Sequence, residues 1–107
     1  MTSIKISPRA FQDLSEIKAY ITEELESPNS ASETVRKILK RISELEAFPE
    51  TGTKLSCHIR TETAYRYVIS GSYLAFYRYE DEIIFVDRIL YGKRDYMKVL
   101  FTEIQEL

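Results

Sequence analysis

Basic and tyrosine side chains alternate through the second half of the chain, at a spacing that could place both on one sheet surface. The basic members are Arg66, Arg78, Arg88, Lys93 and Arg94. The aromatic members are Tyr65, Tyr67, Tyr73, Tyr77, Tyr79, Tyr91 and Tyr96. Such a surface could offer guanidinium groups to phosphates and aromatic rings to nucleic-acid bases. Alternatively the arginines pair with Asp87, Asp95 or Glu62, because an arginine buried in a strand needs a partner.

Other reactive residues do not form a recognisable catalytic or metal-binding pattern. Cys57 and His58 are adjacent, and neighbouring residues of a strand point to opposite faces, so a thiolate–imidazole pair is not expected. The run 80–82 is Glu-Asp-Glu, which is typical of a solvated hairpin turn. The three glycines are too far apart for a phosphate-binding loop. We therefore expect neither a metal site nor a cofactor.

Length and charge limit the kinds of protein this chain can be. Its 107 residues suffice for one domain over 1–107. The formal charge is −2, but residues 54–98 carry eight basic and six acidic residues, so an anionic target would be met there. No apolar run approaches the ~20 residues of a membrane span, and no secretory signal is visible. With a lone cysteine as well, the expected compartment is the cytoplasm, with no membrane partner.

The first half of the chain contains signals for one strand and two helices. Ser3–Ile6 alternates in polarity, as a short strand does. Ser7-Pro8 begins a helix over about 8–26, whose apolar stripe is Phe11, Leu14, Ile17, Ile21 and Leu25. A second helix begins at Ser27-Pro28, or is capped by Ser30 or Ser32, and ends near Phe48-Pro49. Its stripe is Val35, Ile38, Leu39, Ile42 and Leu45. The short break between the helices predicts an antiparallel hairpin.

The second half changes to a period of two residues. Three strands are expected over Tyr65–Ile69, Tyr73–Tyr79 and Ile83–Leu90, joined by turns short enough for hairpins. In the middle strand, one face should carry Tyr73, Ala75, Tyr77 and Tyr79. Residues 94–101 could form a short helix or a packed tail. The predicted fold is α+β: a three-stranded antiparallel sheet joined by the first strand, with the helical hairpin on one face.

Two sheet segments and one turn resemble the RelE/ParE toxin superfamily. They are Gly71–Arg78, Val86–Asp95 and the turn Phe48–Gly52. The resemblance covers nearly the whole chain and implies the toxin half of a bacterial type II toxin–antitoxin pair. It also implies a small antitoxin that neutralises the toxin by wrapping its surface. We expect that antitoxin to lie along an apolar groove beside the helical hairpin, adding a helix or strand.

The resemblance is stronger to ParE-like members, which poison DNA gyrase, than to RelE-like members, which cleave messenger RNA in the ribosome. Leu74 stands where RelE-like nucleases carry a phosphate-binding arginine, and Leu100 where they carry a tyrosine. Arg94 does match their basic residue. Metal-free RNA cleavage needs a base, an acid and cations around the phosphate, and Leu74 supplies none of these. Tyr91 stands where many ParE-like chains carry histidine.

The resemblance therefore implies an inhibitor of DNA gyrase that acts by direct protein contact and not as an enzyme. Its expected target-binding residues are Arg88, Tyr91, Lys93, Arg94 and Tyr96. Arg66 and Arg78 are expected either to order the sheet or to bind the antitoxin.

Two alternatives remain open at this point. One is a ribosome-dependent endoribonuclease that uses Lys93, Arg94, Arg78 and Tyr96 as catalytic residues. The other is an inactive toxin-like scaffold that only binds its antitoxin.

Overall fold

A mixed sheet and two helices make up the part of the chain described by the structure, a computed structural model that covers residues 2–55 and 64–92. The helices are α1 (Pro8–Glu23) and α2 (Pro28–Ser43), followed by a 3₁₀ turn over Glu44–Glu46. The strands are β1 (Ser3–Ile6), β2 (Thr53–Lys54), β3 (Arg66–Ser70), β4 (Tyr73–Glu80) and β5 (Ile83–Tyr91). The α+β prediction is confirmed.

Both helices begin at the serine-proline pairs. At α1 the Ser7 hydroxyl accepts a hydrogen bond from the Ala10 N–H, so it caps the helix, and Pro8 occupies the first turn. Of the three candidate starts for α2, the structure selects Ser27. Helix α1 ends three residues before the predicted limit, because Glu26 takes a left-handed conformation (φ 51°) that turns the chain into α2.

The sheet has the strand order β1-β5-β4-β3-β2. β1 pairs in parallel with β5, and the other neighbours are antiparallel. The sequence did not predict β2, since a two-residue strand is too short to show a periodicity. The predicted helix or tail over 94–101 lies outside the described residues.

The helical hairpin packs on one face of the sheet. The buried cluster between them consists of Ala10, Leu14, Ile38, Ile42, Leu45, Val68, Ala75, Tyr77, Ile84, Val86 and Ile89, with Tyr73 and Tyr79 packed against it. The predicted face of β4 is thus confirmed.

The apolar stripes of the helices were predicted too wide. Phe11 and Leu25 are more than half exposed, and Leu39 is 37% exposed. In α1 the buried positions are Ala10, Asp13, Leu14 and Ile21. The face that meets the sheet is therefore rotated toward Ala10 and Asp13.

One irregularity interrupts the pairing of β4 with β5. The register passes from Phe76 opposite Arg88 to Tyr77 opposite Val86, so Asp87 is an extra residue in β5. A bulge of this kind bends its strand and redirects the side chains around it. The bulge interrupts the pairing of β4, which carries Arg78, with β5, which carries Arg88.

Candidate functional site

Arg88 forms a buried ion pair with Asp13 of α1. The Arg88 Nε lies 2.9 Å from Asp13 Oδ2 and Nη2 lies 3.1 Å from Oδ1, a two-pronged contact between planar groups. The side chains are 3% and 4% exposed. Arg88 was expected to contact a protein target, and its burial contradicts that role: the guanidinium is held inside the molecule by a carboxylate.

Asp13 also supports the backbone of β5. β1 pairs with β5 as far as Val86, and Ser7 continues along the same edge, its N–H donating to the Val86 carbonyl. Beyond that point the Ile89 N–H donates to Asp13 Oδ2 at 2.9 Å. Along this edge of β5, α1 therefore replaces β1 as the hydrogen-bonding partner. One carboxylate holds both the side chain of Arg88 and the strand that carries it.

Asp87, the bulge residue, is at the centre of a second polar cluster. Its Oδ2 accepts hydrogen bonds from Arg78 Nε at 2.8 Å and from the Tyr65 hydroxyl at 2.7 Å. Arg78 Nη1 also reaches Glu80, and the guanidinium lies 4.9 Å from the centre of the Phe85 ring. Two carboxylates thus offset the charge of Arg78. The anticipated pairing of a strand arginine with Asp87 is found here.

The same cluster determines the ionisation of Tyr65. Burial, together with the hydrogen bond to the Asp87 carboxylate, raises the pKa of Tyr65 well above its ordinary value. The hydrogen bond to Asp87 is likewise the main cause that raises the pKa of Arg78. Tyr65 stays protonated and Arg78 charged at neutral pH, so Tyr65 is not prepared to act as a base.

Arg66 and Tyr77 fasten the turn at 48–52 to the sheet. Arg66 Nη1 donates to the carbonyls of Glu50 and Gly52, at 3.1 and 3.0 Å. The Tyr77 hydroxyl donates to the Pro49 carbonyl at 2.8 Å and accepts from the Gly52 N–H at 3.0 Å. Of the two roles considered for Arg66, ordering of the structure or binding of an antitoxin, these contacts support the first.

A groove of about 760 Å³ lies between the helical hairpin and the ends of β4 and β5. On the helical side its lining includes Ile17 and Tyr20 of α1 and Leu25, which follows α1. On the sheet side it includes Tyr73 and Tyr91. Ser30 and Thr34 of α2 also line it. The groove is mainly apolar and open to solvent, so it resembles a surface for a peptide segment more than an enclosed small-molecule site.

The predicted site residues have separate places in the structure. Tyr91 is 42% exposed at the rim of the groove, and its ring contacts that of Tyr73 in a tilted arrangement with 5.7 Å between ring centres. Lys93, Arg94 and Tyr96 lie outside the described residues, as do Cys57 and His58. Among the described residues, no group of three metal-ligating side chains occurs, and neither helix is long and apolar enough to cross a membrane.

Sequence reasoning missed Asp13 as the partner of Arg88. Asp13 is an acidic residue beside the apolar stripe of α1, which is a signal that could have suggested a buried partner. The pairing itself could not be predicted from the sequence, because Asp13 and Arg88 are 75 residues apart. Asp87 was predicted as a partner of a strand arginine, but the alternation of residues along β5 does not indicate the bulge.

The chain matches one protein family over most of its length. Residues 4–96 match the profile of the family described as "ParE toxin of type II toxin-antitoxin system, parDE". The chain belongs to the ParE toxin family. A comparison with curated protein sequences finds no significant match.

Solved structures confirm the ParE/RelE fold. A chain of the "Chromosomal ParDE TA system from P. aeruginosa" superposes with a TM-score of 0.73 at 22% identity, over 87% of this chain and 98% of that one. The isolated E. coli RelE toxin gives 0.53 at 15% identity, over 97% and 99%. The toxin–antitoxin complex RelBE of E. coli gives 0.52 at 15% identity, over 88% and 100%.

Three features of the described sheet of this ParE-family chain bear on metal-free RNA cleavage. Leu74, which the resemblance places at the position of a nuclease arginine, is 9% exposed. Burial raises the pKa of Tyr73 and of Tyr77 above their ordinary value, as it does for Tyr65. A tyrosine with a raised pKa is a worse general base at neutral pH. Among the described residues, the strand arginines are held by carboxylates or carbonyl groups.

Proposed function

We propose that this chain is the toxin of a type II toxin–antitoxin pair and inhibits DNA gyrase by direct protein contact, without catalysing a reaction. Membership of the ParE toxin family supports the toxin assignment. The observation that carries the choice of a non-enzymatic mechanism is the internal binding of the strand arginines. Arg78 forms ion pairs with Asp87 and Glu80, and Arg88 forms one with Asp13.

The proposed gyrase-binding surface begins at the end of β5. Tyr91 is its exposed member within the described residues. Lys93, Arg94 and Tyr96 follow directly in the sequence and are proposed to continue it. Arg88 is assigned a different role here: through Asp13 it holds the end of β5 against α1, so it is a positioning residue.

The proposed partner of the free toxin is a small antitoxin that occupies the groove beside the helical hairpin. The groove is apolar, open and bordered by exposed rings, as a surface that receives a peptide segment should be. The contacts of Arg66 and Arg78 support a structural role for both, and not antitoxin binding. Since gyrase acts on the chromosome, the proposed place of action is the cytoplasm.

Inhibition of gyrase supercoiling by purified, antitoxin-free protein tests this proposal. We expect the wild type to inhibit, Arg94→Ala to inhibit at least about tenfold less, as loss of a charged contact predicts, and both to have the same circular dichroism spectrum. Arg36→Ala is the matched control, because it removes an arginine that is 70% exposed on α2. It should inhibit as the wild type does.

Two other outcomes would overturn the proposal. Failure of folded protein to inhibit gyrase, combined with codon-phased cuts in transcripts mapped by their 5′ ends, would assign a ribosome-dependent nuclease. Lys93, Arg94 and Tyr96 would then be its candidate catalytic residues. Harmless expression of soluble chain without antitoxin would assign the inactive scaffold.

A further inference from the structure

Three of the large exposed apolar side chains of the described residues border the same groove. Tyr20 is 56% exposed, Leu25 is 59% exposed and Tyr91 is 42% exposed, and all three line it. Exposed apolar residues that cluster in one depression, instead of being scattered over the surface, mark a site of association. The groove therefore has the character of an interface whose partner is a protein segment.

The charged residues in the described lining of this groove have one sign. Its described lining contains the carboxylates of Asp13 and Glu16 and neither lysine nor arginine. Asp13 is bound to Arg88, whereas Glu16 accepts a hydrogen bond from the neutral amide of Gln12 at 3.2 Å. At the end of α1, Glu23 and Glu24 are exposed and add further negative charge. A segment that enters here meets carboxylates, so a basic segment is attracted and an acidic one is repelled.

The aromatic residues strengthen the preference for a cation. Tyr73 and Tyr91 are opposite each other on β4 and β5, with ring centres 5.7 Å apart and planes inclined by 56°. Tyr20 lines the same groove as these two tyrosines. Burial raises the pKa of Tyr73, so its ring is neutral at physiological pH. Neutral tyrosine rings attract a lysine or arginine head group to their faces.

We propose that the groove binds a lysine or arginine side chain of the antitoxin, placed between Glu16 and the tyrosines Tyr20, Tyr73 and Tyr91. Apolar side chains on either side of that residue pack on Ile17, Ile21 and Leu25. This inference rests on the proposed function, because it takes the antitoxin as the occupant. It adds the chemistry that the antitoxin segment must present, which is one basic anchor within an amphipathic stretch.

Reversal of the charge at Glu16 is the main test. The affinity of the chain for its co-expressed antitoxin is measured by calorimetry for the wild type, Glu16→Lys and Glu46→Lys. Glu16→Lys should weaken the complex by at least about tenfold, the cost of one unfavourable interface charge. Glu46→Lys makes the same substitution at an exposed residue of the 3₁₀ turn, outside the groove lining, and should leave the affinity within about twofold.

Two further measurements separate cation binding from general packing. Tyr20→Phe keeps the ring and should retain affinity, whereas Tyr20→Leu keeps an apolar side chain without a ring and should lose about threefold or more. In the antitoxin, each lysine and arginine is changed to glutamate in turn. One of these changes should weaken binding to the wild type and restore binding to Glu16→Lys.

The outcomes that overturn the inference are distinct from those that overturn the function. Unchanged antitoxin affinity in Glu16→Lys, with wild-type gyrase inhibition, would refute the basic anchor and leave the toxin assignment intact. Loss of gyrase inhibition in Glu16→Lys without loss of antitoxin affinity would assign the groove to gyrase instead. Wild-type protein that neither inhibits gyrase nor binds an antitoxin would refute both proposals.

Discussion

At the scale of single residues, the Asp13 carboxylate accepts three hydrogen bonds that join α1 to β5. It binds Arg88 through both carboxylate oxygens and also accepts the Ile89 N–H. A carboxylate used in this way joins α1 to β5 more specifically than apolar packing does. Because the guanidinium is 3% exposed, removal of its partner would leave a charge that water cannot solvate.

Asp13→Asn should therefore destabilise the protein strongly. Loss of one partner of a buried pair costs about 3–5 kcal/mol, a large part of the stability of a domain this small. Urea unfolding measures it, with Glu33→Gln as the control, since the ion pairs of Glu33 are exposed and worth under about 1 kcal/mol. The double variant Asp13→Leu, Arg88→Met should be more stable than Asp13→Asn. Equal effects of Asp13→Asn and Glu33→Gln would contradict a structural role for the pair.

At the scale of elements, the turn at 48–52 and the strands β3 and β4 behave as one unit. Arg66 and Tyr77 bind three carbonyl groups and one N–H of this turn. Gly52 allows their close approach, because a Cβ at that position would lie 2.4 Å from the Tyr77 hydroxyl and 2.9 Å from the Tyr67 carbonyl oxygen. The turn is thus held firmly by the sheet, while Phe48 at its start is 69% exposed.

Gly52→Ala should destabilise this unit by about 1–3 kcal/mol, as an added methyl group in a filled space does. The control is Gly71→Ala in the β3–β4 turn, where a Cβ meets nothing within 4 Å and the cost arises from the positive φ of 58°. That cost is about 1 kcal/mol, and Gly71→Asn should reduce it. Thermal unfolding measures the order of stability of these three variants. A Gly52→Ala variant as stable as the wild type would show that the turn is not clamped.

At the scale of the whole molecule, three tyrosines that are buried or partly buried connect the stability of the fold to alkaline pH. Burial raises the pKa of Tyr65, Tyr73 and Tyr77 above the ordinary value of 10.0. A tyrosine is neutral when protonated, so the folded chain keeps protons that the unfolded chain releases. The resulting stabilisation is complete below pH 10 and is lost as the pH rises above it.

The unfolding free energy should consequently be flat near neutral pH and fall above about pH 10, by at most about 1.4 kcal/mol per pH unit for each such tyrosine. Tyr65→Phe isolates one contribution. At pH 7 it should be less stable than the wild type, because Asp87 loses a hydrogen bond. Between pH 9 and pH 11 the wild type should lose this advantage progressively. A difference between the two proteins that stays constant up to pH 11 would contradict the raised pKa of Tyr65.

Local signals in the chain were sufficient for most of the secondary structure and for the family. Serine-proline pairs begin a helix through the capping hydroxyl and the fixed φ of proline, both of which act within one turn. Alternating apolar residues mark the ends of β3, β4 and β5 within one residue, since a strand that is buried on one face requires that period. The resemblance to ParE-like toxins likewise rests on short contiguous segments.

Contacts between distant segments could not be obtained in this way. Asp13 and Arg88 are 75 residues apart, and the bulge at Asp87 depends on the pairing of two complete strands. These contacts placed Arg88 inside the molecule and brought Glu16, Tyr20, Tyr73 and Tyr91 to one groove. A pattern along the chain reports which residues share a face of one element. Which faces meet is decided by packing and by the need of each buried charge for a partner, and both exist only in the folded chain.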